Sequence, residues 1–386
     1  MQKITFILIF LSFQLNAQIK VFDNFENGNV EVIKIVDSTN TIYFRPSLKN
    51  NQNTTRCWYN FGITGYKQKD SLKLMVINEY IKSANFPVYR YSSSDWHHTP
   101  AQSIDDTTKM IKIFTNADSL YIAAGYPYTY SDMINYVGKI SKSEYVDTQT
   151  FFVSQMGLRI PLITIYNKNF KQHNCVWIIG RQHAFESTLN YTLEGFINYF
   201  LDTNLKSKEF LKNNKIFIVP MIDVDNVFIG ASGRMQKPVD YNRDWKEKPH
   251  WQIIKKLQNT IDSTTHKHNY TVFLDFHSTY PGTQSPTFAI FNDYDKKNKL
   301  NKNIKRFNKI FSDVAGYRLT EISSSQISYY ADIYNSNKFS KFKKKNKFAT
   351  TIETDWYYNH DNNELTKENL QKVGGNIAQA LCLFVK

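Results

Sequence analysis

Cysteine is scarce in this chain of 386 residues, which has only three: Cys57, Cys175 and Cys382. Their odd number and wide separation exclude a disulfide framework and a zinc site built from thiolate ligands. Cys175 and Cys382 lie among apolar residues, so we expect both side chains to belong to the core.

Long hydrophobic runs are missing apart from the N-terminus. A short basic start at Lys3 precedes an apolar run over residues 4–15, and Ala17 ends a small-residue pattern typical of a cleavage site. The run is too short to span a bilayer comfortably, and no later segment approaches ~20 apolar residues. We predict a signal peptide over residues 1–17, a mature chain that begins at Gln18, and an exported protein, periplasmic or secreted, with no membrane span. A retained N-terminal anchor helix is the alternative.

Acidic residues are fewer than basic ones: the chain has 34 Asp and Glu and 48 Lys and Arg, so its net charge is +14. A basic exported protein suits acidic polymers, acidic peptides or an anionic surface. No recognised nucleic-acid motif accompanies the charge, so nucleic acid is not a predicted partner.

Internal repeats and long low-complexity linkers are also absent from the sequence, and its length suits two domains. Residues 18–130 contain short, aromatic, strand-like segments with few helical periods, which is typical of a β-sandwich. From residue 131 onward strand-like and helix-like segments alternate. This alternation favours an α/β fold, a mixed and mostly parallel sheet with helices on both faces. We therefore predict an N-terminal β-sandwich domain over residues 18–130 and a catalytic domain over residues 131–386.

Apolar runs and amphipathic periods locate the elements of the second domain. The predicted strands cover residues 176–180, 215–222, 271–276, 287–291 and 348–352, and the predicted helices cover residues 187–202, 250–262, 302–315 and the segment from 366.

A histidine and a glutamate follow the first of these strands, in the segment GRQHAFE (residues 180–186). His183 and Glu186 are thereby placed at the C-terminal edge of the sheet, where α/β sites usually form. His277 follows the third predicted strand and reaches the same edge. Two imidazoles and a carboxylate suit Zn²⁺, and three protein ligands with one open position are the catalytic arrangement. Asp275 is expected to support this site or to belong to the structure of the strand end, rather than to bind the metal.

Several motifs occur in the order of a known family. GRQHAFE is similar to its G-R-x-H-P-G-E motif, DYNRDW (240–245) to D-L-N-R-x-W, LDFHS (274–278) to D-x-H-[SG], and TIET (351–354) to its terminal catalytic-Glu strand. In the first domain WYNFGITGY (58–66) is similar to W-F-Y-F-R-V, and AAGYPYTYSDM (123–133) to F-A-Y-x-x-P-Y-T-Y-S-x-L. The chain thus resembles the zinc metallocarboxypeptidases, specifically their cytosolic-carboxypeptidase-like branch, over nearly the whole mature sequence.

The resemblance implies one zinc ion held by His183, Glu186 and His277. It implies Glu353 as the general base and acid that moves a proton from the attacking water to the leaving amine. Arg234 would stabilise the developing oxyanion.

Substrate binding is implied for a second set of residues. Asn242 and Arg243 would hold the terminal carboxylate of the substrate, the arginine through its bidentate fork. A guanidinium near the metal is also the chemistry that an exopeptidase needs to recognise a free carboxylate. Tyr330 would close over the substrate, with Tyr329 and Tyr334 as alternatives.

Lys338 corresponds to the floor of the family's specificity pocket, which lies roughly fifteen residues before the catalytic glutamate. A lysine at this position predicts a preference for a C-terminal Glu or Asp through charge pairing.

Two segments depart from the family's pattern. The H-P-G-E loop is HAFE here, with the bulky Phe185, and the usual N-P-D-G is DVDN (residues 223–226). Neither change removes a ligand, so we expect both to affect the shape of the substrate pocket.

The sequence as a whole predicts a zinc metallocarboxypeptidase that acts on a peptide or peptide-like substrate with a free C-terminal carboxylate. A zinc amidase or deacylase that acts on murein peptides or N-acyl amino acids is one alternative. A non-enzymatic binding protein that retains the fold is another, although it would be expected to lack Glu353 or a zinc ligand. The oligomeric state is not predicted.

Overall fold

The computed structural model of the protein describes residues 18–67, 70–77, 87–92, 94–100, 104–105, 109–114, 117–202, 204–279, 288–289, 299–316, 346–354, 356 and 365–385. The predicted signal peptide (1–17) lies outside the described residues, as do Tyr330, its alternatives Tyr329 and Tyr334, and Lys338.

Strands of the N-terminal part pair into two five-stranded sheets, which together are called the N-terminal sandwich below. Within the described residues its strands are β1 (Lys20–Phe22), β2 (Glu31–Val36), β3 (Thr41–Arg45), β4 (Asn60–Thr64), β5 (Ser71–Val76), β6 (Val88–Tyr91), β7 (His97–His98), β8 (Ile104–Asp105), β9 (Met110–Phe114) and β10 (Ser119–Ala123).

The order of strands is β1-β4-β10-β6-β7 in one sheet and β2-β3-β5-β9-β8 in the other. Alternate residues of β5 (Leu72, Leu74 and Val76) are buried, because successive side chains of a strand point to opposite faces. The two sheets share a core in which the rings of Phe44 and Phe61 lie 4.8 Å apart. The predicted β-sandwich is therefore confirmed.

The second part of the chain contains a seven-stranded sheet and the helices. Its strands are β11 (Val146–Val153), β12 (Arg159–Ile165), β13 (Asn174–Gly180), β14 (Asn214–Val219), β15 (Thr271–Ser278), β16 (Phe288–Ala289) and β17 (Asn346–Thr354). The helices within the described residues are α1 (Tyr130–Ile140), α2 (Thr188–Leu201), α3 (Leu205–Asn213), α4 (Val224–Ile229), α5 (Gln252–His266), α6 (Lys299–Ala315) and α7 (Lys367–Val385).

The seven strands are ordered β11-β12-β14-β13-β15-β17-β16. The four strands β14, β13, β15 and β17 run parallel in the centre, and the pairings at both edges are antiparallel. Because the parallel strands end at the same edge, residues that follow β13, β15 and β17 are brought together there.

Both faces of this sheet are covered. Trp177 and Ile179 of β13 belong to a core shared with α5 and the N-terminal sandwich. Val176 and Ile178, between them in sequence, belong to a second core shared with α2, α6 and α7. A parallel strand buried on both faces is an almost continuous apolar run, which is why this strand could be predicted. The predicted α/β fold, a mixed sheet with helices on both faces, is confirmed.

The sequence patterns do not predict β11, β12, α1, α3 and α4. β11 is an edge strand in which residues 147–150 are exposed, so it lacks a long apolar run. α1 does carry a start signal, since the Thr129 hydroxyl accepts the Asp132 N–H at 3.0 Å and the Asp132 carboxylate accepts the Thr129 N–H at 2.8 Å. This capping box marks the first helix after the sandwich. The domain boundary at residue 130 stays a prediction.

None of the helices in the described residues is both long and apolar enough to cross a membrane.

Candidate metal centre

The loop after β13 turns back over the C-terminal edge of the sheet. Arg181 has a positive φ of 56°, which reverses the chain direction directly after the strand. Its buried guanidinium donates to the Ala184 carbonyl at 2.8 Å and to Asn190 Oδ1 of α2 at 2.7 Å. Burial lowers the pKa of Arg181 to about 10, so the group stays charged at neutral pH. Arg181 thus fixes the loop that carries His183 and Glu186.

His183, Glu186 and His277 converge at this edge, with one potential ligand atom from each lying within 4.8 Å of the others. Nδ1 of His183 lies 2.7 Å from one carboxylate oxygen of Glu186, and Nδ1 of His277 lies 2.8 Å from the other. All three side chains are buried. His183 and Glu186, which follow β13, and His277, which lies on β15, are therefore brought together at one edge of the sheet, as the sequence predicts.

Buried aspartates lie on the outer side of both imidazoles. His277 Nε2 lies 3.2 Å from Asp275 Oδ2, and His183 Nε2 lies 3.7 Å from Asp240 Oδ1. A carboxylate on the far nitrogen of a metal-binding histidine orients the ring and favours the tautomer that leaves the near nitrogen free for the metal. Asp275 has the supporting position expected for it.

The cluster offers an ionised carboxylate to a metal ion. Burial opposes ionisation of Glu186, but His277 and His183 outweigh it and hold the pKa of this carboxyl far below its ordinary value. Burial likewise opposes the charge on His277, yet Asp275 and Glu186 raise its pKa well above the ordinary value. Two imidazoles and an ionised carboxylate, buried and with Nδ1 atoms turned inward, are a donor set that fits zinc.

Glu353 lies on the neighbouring strand, in register with His277 of β15. Its side chain is half-buried beside the cluster. Burial raises the pKa of Glu353 to about 7, the charges of Glu186 and Asp275 add to the effect, and the nearby histidines oppose it. A carboxyl group with such a pKa both accepts and releases a proton near neutral pH.

Asn242 and Arg243 lie on a single turn of 3₁₀-helix, Tyr241–Arg243, which the Asp240 side chain caps by accepting the Arg243 N–H at 3.0 Å. The Arg243 guanidinium donates to the same carboxylate at 2.8 Å, and the side chain remains 37% exposed. Arg243 is therefore fixed on one side and accessible on the other.

Arg234 lies in the loop of residues 232–237, which the β3–β4 loop of the sandwich holds in place. Thr55 Oγ1 donates to the Arg234 carbonyl at 2.8 Å. Further hydrogen bonds between the two loops join Asn53 with Gly233, Thr54 with Met235, Cys57 with Ser232 and Gln52 with Lys237. The sandwich thus contributes to the geometry of the candidate site.

Phe185 packs behind the site. Its side chain is fully buried, and its ring stacks on His183 at 6.2 Å and on Trp356 at 6.0 Å between centroids. The Trp356 indole N–H donates to the Thr279 carbonyl at 2.6 Å. The bulky residue of the HAFE loop therefore supports the His183 ring from the core.

The DVDN segment begins α4 and closes on itself. Asn226 Nδ2 donates to both carboxylate oxygens of Asp223, at 2.9 and 3.1 Å. Burial raises the pKa of Asp223 to about 7. A polar side-chain turn thus replaces the proline and glycine that usually shape this segment.

Two residues of the site have no predicted role. Asp240 opens the DYNRDW motif, and aspartate is a preferred residue at the N-cap of a helix, a signal that could have identified it. Gln182 lies between Arg181 and His183, and nothing in the sequence marks it. Tyr330 and Lys338 lie outside the described residues, so their assigned roles stay predictions.

Comparison with known proteins agrees with this geometry. Residues 133–368 match the family described as zinc carboxypeptidase. The chain is 24% identical to mouse cytosolic carboxypeptidase 3 over 289 residues, which cover 66% of this chain but only 28% of the mouse protein. It is 21% identical to human cytosolic carboxypeptidase 6 over 406 aligned positions, which cover 93% of this chain and 77% of the human protein.

Solved structures share the fold over nearly the whole chain. A metallo-carboxypeptidase from Burkholderia cenocepacia superposes with a TM-score of 0.79 at 17% identity, covering 95% of this chain and 98% of its own. A metallo-carboxypeptidase from Pseudomonas aeruginosa, solved with (2-guanidinoethylmercapto)succinic acid, has a TM-score of 0.79 at 18% identity and covers 95% and 99%. Because the family match covers more than half of the sequence, and zinc is the metal of that family, the chain belongs to the zinc carboxypeptidases.

Proposed function

We propose that this protein is a zinc-dependent metallocarboxypeptidase that hydrolyses the C-terminal peptide bond of peptides. The observation that carries the proposal is the convergence of three chemical parts at one sheet edge. These parts are the His183, Glu186 and His277 cluster, the half-buried Glu353 beside it, and the accessible Arg243 guanidinium. Metal binding, proton transfer and carboxylate recognition are the functions that such a hydrolase has to combine.

Recognition of the substrate's C-terminus is assigned to Arg243 and Asn242. A guanidinium forms two parallel hydrogen bonds with a carboxylate, and its planar fork fixes the orientation of the partner. Asp240 holds one side of Arg243 in place at 2.8 Å, which lowers the entropic cost of ordering the side chain on binding. The succinic acid derivative bound by the Pseudomonas aeruginosa protein carries carboxylates of the kind proposed for this position.

The chemical step is assigned to Glu353 and Arg234. Zinc, when bound by the three ligands, would supply a Lewis acid that polarises the scissile carbonyl. Glu353 takes a proton from the attacking water and delivers it to the nitrogen of the leaving residue. Arg234 stabilises the negative charge that develops on the carbonyl oxygen.

The preference for a C-terminal Glu or Asp is a finer proposal that rests on Lys338 and on the net charge of +14. A cationic residue in the pocket would favour an acidic side chain and reject a basic one. Export to the periplasm or the exterior is likewise proposed, on the pattern of residues 1–17 alone.

The proposal is tested by zinc analysis together with amino-acid release from peptides that differ only at the C-terminal residue. We expect one zinc per chain, release from free peptides but not from C-terminally amidated ones, and fastest release of Glu or Asp. The Glu353→Gln variant should retain zinc and lose about 10²- to 10⁴-fold in kcat. Glu144→Gln, at an exposed position, is the matched control and should behave as wild type.

Other outcomes would identify the alternatives. Release that is unaffected by amidation of the C-terminus would contradict the carboxypeptidase assignment and direct the search to amide or N-acyl amino acid substrates. Stoichiometric zinc without hydrolysis of any of these substrates would support a binding protein.

A further inference from the structure

Gln182 is a fully buried amide in the centre of the candidate site. Its side chain contacts four others, two within residues 242–245 and two on β15. Oε1 lies 2.7 Å from the indole Nε1 of Trp245, and Nε2 lies 2.7 Å from Asp275 Oδ2 and 3.3 Å from Asn242 Oδ1. The same Nε2 is 3.4 Å from His277 Nε2. Gln182 thus contacts both Asp275, which lies behind the proposed metal ligand His277, and Asn242, which is proposed to bind the substrate carboxylate.

The orientation of this amide is determined by its partners. An indole N–H only donates, so the atom of Gln182 that faces Trp245 must be the oxygen. Asp275 Oδ2 accepts a hydrogen bond from Gln182 at 2.7 Å, so the atom that faces Asp275 is the nitrogen. The alternative rotamer, with oxygen and nitrogen exchanged, would place two donors together and two acceptors together. Trp245 and Asp275 therefore exclude it.

The orientation of Gln182 in turn determines that of Asn242. One N–H of Gln182 Nε2 is directed to Asp275, and the other is available to donate to Asn242 Oδ1. With its oxygen bound in this way, Asn242 presents its amide nitrogen elsewhere, as a donor. A donor is what a substrate carboxylate requires, whereas an exchanged Asn242 amide would present an acceptor and repel it.

We propose that Gln182 is a positioning residue that makes Asn242 a donor toward the substrate carboxylate. Asp275 Oδ2 accepts from Gln182 and lies 3.2 Å from His277 Nε2, so the same residue also supports the carboxylate behind a metal ligand. The inference rests on the proposed carboxypeptidase function for the identity of the substrate group. Within GRQHAFE, Gln182 therefore acts through hydrogen bonds, whereas its neighbour Arg181 fixes the loop and its neighbour His183 is a proposed metal ligand.

The test compares Gln182→Met with wild type. Methionine keeps the length of the side chain and removes both the donor and the acceptor. We expect KM for a free peptide to rise about 10-fold while kcat changes less than about 3-fold, because the lost interaction acts on the bound carboxylate before and during the reaction. The dissociation constant of (2-guanidinoethylmercapto)succinic acid, measured by calorimetry, should rise by a similar factor. Zinc content should stay at the wild-type level.

A double-mutant cycle with Asn242→Ala tests whether Gln182 affects KM through Asn242. If Gln182 acts through Asn242, the Gln182→Met change should raise KM in the wild-type background but not in the Asn242→Ala background. Equal increases in both backgrounds, or an unchanged KM in Gln182→Met, would overturn the inference. Trp245→Phe, which keeps a ring but removes the N–H that orients Gln182, is the second variant, and it should weaken the succinate probe in the same direction. If Gln182→Met does not fold, the binding of the succinate probe by Trp245→Phe is the measurement that tests the inference.

Failure of the proposed function would give a different result. If the wild-type protein releases no residue from any peptide, the carboxypeptidase proposal is contradicted. The calorimetric comparison then decides this inference on its own, since weaker binding of the probe by Gln182→Met supports it and equal binding overturns it.

Discussion

Asp240 joins three parts of the candidate site through one buried carboxylate. Oδ2 accepts the Met235 N–H at 3.0 Å and the Arg243 guanidinium at 2.8 Å, while Oδ1 lies 3.7 Å from His183 Nε2. Burial opposes the charge, but His183 and Arg243 lower the pKa of Asp240 to about 2. The group is therefore negative at neutral pH and holds Arg243, His183 and the loop of Arg234 in a fixed arrangement.

Gly233, next to Arg234, lies where two constraints on the backbone coincide. Its φ is +72°, and an added Cβ would lie 2.1 Å from Asp223 Oδ2 and 2.7 Å from the Ala184 backbone nitrogen. We expect Gly233→Ala to lower the free energy of unfolding by about 3 kcal/mol, from left-handed strain and overpacking together. Urea denaturation measures the change.

Gly157→Ala is the control for this substitution, because Gly157 has a φ of +82° but nothing within 4 Å of an added Cβ. It should lose only about 1 kcal/mol, from the backbone strain alone. Equal losses at both positions would show that the contacts of Gly233 do not matter to stability.

Single residues of the site differ in how well the sequence predicts them. His183, Glu186, His277 and Glu353 lie at strand ends, where one-dimensional spacing is enough to bring them to one edge. Gln182 could not be predicted, because its role depends on hydrogen bonds to residues more than 60 positions away. The partners of a buried amide are decided by the tertiary structure, and local sequence does not encode them.

At the scale of elements, the β3–β4 loop of the sandwich positions the loop of residues 232–237, which carries Arg234. The Thr55 hydroxyl is part of this contact, at 2.8 Å from the Arg234 carbonyl, and Thr55 is buried. We expect Thr55→Val to lower kcat about 3- to 10-fold with little change in KM, because Arg234 is assigned to the transition state. The loss of one hydrogen bond should lower the free energy of unfolding by about 1 kcal/mol.

Thr39→Val is the control for Thr55→Val, because Thr39 is exposed in the 3₁₀-helix Asp37–Thr39 of the sandwich. In steady-state kinetics, the kcat and KM of Thr39→Val should equal those of wild type. A kcat for Thr55→Val that equals that of Thr39→Val would argue against a role of the sandwich in positioning Arg234.

The parallel strands buried on both faces are the elements that the sequence predicts well. β13, β14, β15 and β17 are predicted within a few residues of their observed bounds, because apolar runs mark a parallel, fully covered sheet. β11 and β12 form an antiparallel pair with a bulge between Thr150 and Phe152 and an exposed outer strand. The pattern of β11 is mixed, so tertiary context rather than periodicity decides its structure, whereas β12 is buried over residues 160–165 and is missed despite its apolar run.

At the scale of the whole molecule, a half-buried carboxylate links the junction between the sandwich and the sheet to two helices. Glu194 of α2 accepts the Tyr128 hydroxyl at 2.8 Å and Gln371 Nε2 of α7 at 3.0 Å. Burial raises the pKa of Glu194 despite these hydrogen bonds, which lower it, while Asp132 adds to the increase. The folded state therefore favours the protonated form.

The sign of the pH dependence follows from this shift. A carboxyl group whose pKa is raised by folding stabilises the protein fully at pH values below its unfolded pKa of ~4.3, and the contribution is lost as the pH rises through the folded pKa. We expect Glu194→Gln, which removes the charge, to become more stable relative to wild type as the pH rises above ~4.3. Denaturation of both proteins over a pH series measures the difference.

The exposed Glu144→Gln variant should show no such trend relative to wild type. A difference in the free energy of unfolding between Glu194→Gln and wild type that is constant with pH would contradict the shift at Glu194.

The order of residues along the chain has a consequence for when the proposed activity arises during synthesis. The metal ligands come from the loop after β13 and from β15, but Glu353 lies on β17, which pairs with β15 and is synthesised late. A nascent chain that ends before β17 exposes one edge of β15 and lacks the proton carrier. The zinc ligands and the residues proposed to bind the substrate carboxylate therefore precede Glu353 in the sequence, so the proposed proton carrier is the last part of the site to be synthesised.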